Sequence, residues 1–161
     1  MFSNLPLWVQ YISALGPSFA AIVAATLVAY FAWRNWQVAK KKLAFDLFEK
    51  RLAIFDKVEE AIKIGITLGD REAKSEAEPQ IKALSAEFLR STFLFDAEIE
   101  QYLRGLTVRL MSTNWMQEAR SKNELDDQGK KLFVEDQKWF DEQELVVHTL
   151  FAKYLDFKDI R

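Results

Sequence analysis

His148 is the one histidine in a chain of 161 residues that has no cysteine. That pair of facts limits the chemistry before any fold is considered. His148 follows Glu144, and its unperturbed pKa near neutrality suits proton transfer or pH sensing; a partly exposed helix histidine is the plainer reading. Without Cys there is no disulfide and no thiolate nucleophile, and one His is too few for a dedicated zinc site. Asp126 and Asp127, with Glu124 beside them, are the acids best placed for a divalent cation, although adjacent acids in a polar connection are ordinarily just solvated. The sequence contains no G-x-S-x-G elbow, no GxxxxGK[ST] phosphate loop and no G-x-G-x-x-G turn. No catalytic residue, cofactor site or metal site is therefore expected, and only a carboxylate- or lysine-based site stays open. Arg90, Arg104, Arg109 and Arg120 lie on or beside two predicted helices and could converge on a phosphate or nucleotide if those helices pack together. Scattered surface charge is the simpler account of the four. The chain carries 22 basic and 24 acidic side chains, a net charge of -2, so no nucleic acid partner is expected.

What must position these residues is set by an uneven distribution of charge. No Asp, Glu, Lys, Arg or His occurs before Arg34. Residues 15–33 are apolar and long enough as a helix, about 28 Å at 1.5 Å per residue, to match a hydrocarbon core of about 30 Å. Trp8 and Tyr11 fall near one interface and Tyr30, Trp33 and Trp36 near the other. Arg34, Lys40, Lys41 and Lys42 follow on one side only, which places the C-terminal part in the cytoplasm and the N-terminus outside, across the inner membrane. Lys40 to Lys42 also suit anionic headgroups. A cleaved signal peptide would need a basic start, a buried helix a polar face and an interfacial helix a charged one; this segment has none of these. Ser18, Ala21, Ala25, Ala29 and Ala32 form a small-residue stripe through which two such helices can pack, so a homo-oligomer is one expected partnership besides the lipid bilayer.

Beyond the basic cluster the apolar residues keep helical spacing. Phe45, Phe48, Leu52, Phe55, Ile62 and Ile66 define one helix, and residues 69–79 read as a loop or frayed start. Ile81, Leu84, Phe88 and Leu89 define a second helix. After a break at residues 93–95, Asp96 is the predicted N-cap of a third carrying Ile99, Leu103, Leu106, Leu110 and Trp115. Residues 121–129 read as a connection, Leu132, Phe133, Trp139 and Phe140 as a fourth helix, and residues 150–157 as a short closing one. The expected fold is all-α: an N-terminal transmembrane anchor over residues 1–36, followed by a cytoplasmic antiparallel bundle of about four helices over residues 37–161.

In residues 33–51, 93–103, 139–143 and 154–157, taken in that order, the chain resembles a loose group of uncharacterised small bacterial single-pass membrane proteins with a cytoplasmic helical domain. The resemblance implies that topology and brings no activity with it. The expected function is a membrane-tethered interaction or regulatory protein, not an enzyme, with an unidentified protein partner or a second copy. The alternative is a ligand-gated membrane effector, as in anti-phage defence, that senses a small anionic signal and perturbs the membrane.

Overall fold

The computed structural model describes residues 7–69 and 77–156, with side chains from Gly16 onward, Pro17 excepted. These residues form four α-helices: α1 (Leu7–Thr67), α2 (Ala77–Arg90), α3 (Ala97–Ser121) and α4 (Asp127–Phe151). Two 3-10 turns join them, at Thr92–Leu94 and Ala152–Tyr154, and no strand occurs among the described residues. The all-α class holds. The chain divides into two compact units between Ala44 and Phe45.

In the first unit every described side chain from Ser18 to Leu43 is exposed. Apolar residues cover the whole circumference of the helix, among them Phe19 at 70% and Val28 at 69% exposure. Thr26 donates to the Ile22 carbonyl at 2.8 Å, so its hydroxyl is satisfied within the helix. Ser18 and the alanines of the small-residue stripe are all open, as are Tyr30, Trp33, Arg34, Trp36 and Lys40 to Lys42. Lys40 lies 5.8 Å over the Trp36 ring. Trp8 and Tyr11 fall outside the described side chains. Among the described residues, no helix is long and apolar enough to cross a membrane. The described residues thus bear out the helix and not the expected span.

The second unit is a four-helix bundle built from residue 45 onward. Phe55 of α1 meets Phe151 of α4 at 5.6 Å, while Gln137 at the other end of α4 donates to the Gly65 carbonyl at 3.0 Å, so these two helices run antiparallel. α3 and α4 are antiparallel as well, with Arg109 on Asp136 and Arg120 over Phe133. The core is one cluster in which Val58, Ala61, Ile99, Leu106, Phe140 and Phe151 are fully enclosed.

The helix ends follow from local chemistry. Asp96 caps α3, its carboxylate accepting from the Glu98 and Ile99 amides, as the sequence predicts. Asp126 caps α4 through the Gly129 amide at 2.7 Å. α3 closes with paired reverse bonds, Glu124 N–H to Ala119 O and Asn123 N–H to Arg120 O, which need a left-handed residue. Asn123 takes that role at φ 56°.

Several predicted faces are rotated in part. In α1, Phe55 and Ile62 are buried as predicted, but Phe45 and Leu52 are exposed, and the buried line runs through Val58 and Gly65 to Leu68 just past the helix end. On that face Gly65 carries no side chain, which leaves room for the Phe140 ring of α4. Leu89, Trp115 and Leu132 also point outward. The α3 core stripe continues instead through Thr113, Met116 and Gln117. Among the described residues no separate closing helix occurs: α4 runs unbroken to Phe151 and ends in the 3-10 turn, and Phe157 lies outside the described residues.

Candidate functional site

Apart from Ser91, just past the end of α2, the polar side chains buried among the described residues lie on α3 and α4. Asp136, whose side chain is 13% exposed, accepts from Arg109 Nη1 at 2.5 Å and from Thr113 Oγ1 at 3.2 Å. The Arg109 guanidinium also stacks 4.7 Å from the Trp139 ring. Each Asp136 oxygen thus has a donor, and the arginine has both a counter-charge and an aromatic face. Tyr102 lies beside Trp139, its hydroxyl enclosed without a hydrogen-bond partner, and burial pushes its pKa up. This arrangement clamps two helices.

Asp136→Ala removes the anion and leaves Arg109 facing the seam. Deleting one partner of a fully buried pair costs about 3–5 kcal/mol. Arg109 is 41% exposed and recovers part of that from water, so the expected loss is about 1–2 kcal/mol, read as a lowered urea midpoint.

Where α3 turns into α4, a cleft of about 840 Å³ opens, lined by residues including Arg120, Lys130, Phe133, Gln137, Lys138 and Asp141. Its floor is the buried Phe133 ring, with the Arg120 guanidinium 5.1 Å above it. Lys130 is held by Asp127 at 2.9 Å. Arg120 forms no ion pair among the described residues. A cation on an aromatic floor, with Lys138 on the same rim, is an arrangement that can receive an anionic group.

The four arginines singled out in the sequence do not converge. Arg104 is bound to Glu100 at 2.6 Å and Arg109 to Asp136, while Arg90 is exposed at the end of α2. Arg104 and Arg120 are sixteen residues apart on one helix, about 24 Å. Only Arg120 reaches the cleft. His148 is 58% exposed, 3.4 Å from Glu59 and 5.3 Å from the Phe55 ring. Asp126 is occupied as a cap, and no group of three or more His, Asp or Glu is placed to hold a metal among the described residues. Sequence reasoning missed Lys138 and Phe133 as cleft residues, because Phe133 reads as ordinary core and nothing in the spacing marks the turn as concave.

At the opposite end of the bundle, Lys153 reaches Asp96 and Glu98, both at 2.9 Å. Arg51 donates to the Leu94 carbonyl at 3.1 Å and stacks on Tyr154. The Tyr154 hydroxyl and the Lys153 ammonium beside Asp96 hold its carboxyl at about 2, below the ordinary 3.8. A carboxyl lowered by folding stabilises fully above its unfolded value and loses that contribution as pH falls through the folded one. Stability should therefore decline between about pH 4 and pH 2. In Asp96→Asn that part of the decline should flatten when melting temperature is followed by circular dichroism.

No family model, curated protein or solved structure matches this chain.

Proposed function

We propose that this chain is a membrane-tethered interaction or regulatory protein with no catalytic role, anchored by one N-terminal helix with its bundle in the cytoplasm. The observation that carries this reading is the charge-free helix ahead of Arg34. α1 begins at Leu7, so its uncharged part is about 40 Å long at 1.5 Å per residue, against a core thickness of about 30 Å. Its described part exposes aromatic and branched side chains on every side. Leaving a large apolar side chain in water forgoes about 1.5–3 kcal/mol, and eight such residues between Phe19 and Trp33 are open. The aromatic residues Tyr30, Trp33 and Trp36, followed by the lysine collar, support a cytoplasmic bundle.

The test is fractionation of the full chain expressed in bacteria. It should sediment with membranes, resist alkaline carbonate and be released by detergent; a monomer in the carbonate supernatant overturns the reading. The Arg120 cleft supports a second reading, an effector gated by a small anion. Overexpression should then dissipate the membrane potential in wild type and not in Arg120→Ala, and an unchanged potential in wild type removes this reading.

A further inference from the structure

The outer face of α3 is apolar where a solvated helix face is normally polar. Val108, Met111 and Trp115 are 66%, 46% and 65% exposed, directly opposite the core stripe of Ile99, Leu103, Leu106 and Leu110. With Arg104 before them and Glu118 and Lys122 after, they recur at steps of four, three, four, three and four. This is the spacing of a seam that packs against another helix. Three large apolar residues in one such line differ from the singly scattered ones that any surface carries.

The charges flanking the stripe indicate what covers it. Glu100 and Arg104 form an i,i+4 pair at 2.6 Å, and Glu118 and Lys122 form another at 2.7 Å. Along the helix the order is acid, base, apolar centre, acid, base. Laid parallel and in register on a copy of itself, this face sets Arg104 on Arg104 and Glu118 on Glu118. Laid antiparallel about Met111, it brings Arg104 to Glu118 and Glu100 to Lys122 at both ends. Met111 is seven residues from Arg104 and from Glu118, and eleven from Glu100 and from Lys122, so one twofold axis satisfies all four contacts. Self-complementarity of this kind is what an isologous interface requires.

We infer that a second copy of this chain docks on the outer face of α3, the two helices antiparallel and crossing at Met111, with Trp115 and Val108 packed on either side of the axis. The interface belongs to the bundle and does not depend on the membrane reading.

The absence of native cysteine allows a direct test. A residue on a twofold axis faces itself, so full-length Met111→Cys in mild detergent should give a disulfide dimer as its main product under gentle oxidation. Lys82→Cys, 68% exposed on α2, should stay monomeric. In the Met111→Cys background, Arg104→Glu or Glu118→Arg alone sets like charges face to face and should lower cross-linking by about tenfold or more. The double exchange Arg104→Glu/Glu118→Arg should restore it, although each helix then keeps its internal repulsions. A Met111→Cys protein that stays monomeric, a Lys82→Cys protein that cross-links equally, or a double exchange no better than the single changes would each overturn the inference.

Discussion

Gly65→Leu should cost about 3 kcal/mol, the largest loss expected from any single residue in the bundle that adds side chain without removing any. A Cβ at position 65 would run into the ring of Phe140, a residue with no exposed surface. The same turn donates no slack, because Gln137 from the next turn of α4 is bonded to the Gly65 carbonyl. Gly65→Ala tests the balance more finely. Alanine favours a helix interior by up to about 1 kcal/mol over glycine, whereas overpacking costs about 1–3 kcal/mol. A net loss of about 1 kcal/mol is expected. Phe140→Leu in the Gly65→Ala background should show a favourable coupling of about 0.5 kcal/mol or more, because the two side chains compete for one space. Urea unfolding followed by circular dichroism measures all three, and a Gly65→Ala protein more stable than wild type would refute the steric account. Gly69, in the turn two residues past α1, lines the cleft, so the close approach that Gly65 permits also sets one wall of the candidate site.

Gly65 also shows what could and could not be read from sequence. Long periodic stretches with clean end signals were legible: Asp96 as a cap, the break at residues 93–95, and Ile99, Leu103, Leu106 and Leu110 as one buried line. Glycine, by contrast, reads as a helix weakness, whereas here it is the contact that brings Phe140 close. Trp115 misled in the other direction. Its size argued for burial, but its position on the helix belongs with Arg104 and Glu118, outside the core. For the candidate site, Arg120 was visible as a cation and invisible as the lid on Phe133, because that contact joins two helices across a turn. Which arginines are neutralised depends on Glu100 and Asp136, the first legible as an i,i+4 pair and the second only from packing.

The anchoring proposal yields an expectation of comparable size. Arginine at the centre of a membrane helix is disfavoured by about 2.5–3.5 kcal/mol, and the apolar residue it replaces forgoes its own small gain. Val23 and Leu27 are adjacent turns of the charge-free stretch, far from the collar that already holds Arg34. A single arginine there can extend toward the headgroups and recover part of the cost. Val23→Arg/Leu27→Arg places two cations on one side of the helix at different depths, and the combined penalty of about 6 kcal/mol corresponds to more than a thousandfold change in partition. Most of the double variant should appear in the carbonate supernatant. Val38→Arg makes the same chemical change at a more exposed position beside the lysine collar, and should leave sedimentation unchanged. If the double variant sediments as wild type does and both are released by high salt alone, association runs through Lys40, Lys41 and Lys42 at the surface and not through a helix in the hydrocarbon, because salt screens headgroup attraction and leaves apolar burial intact.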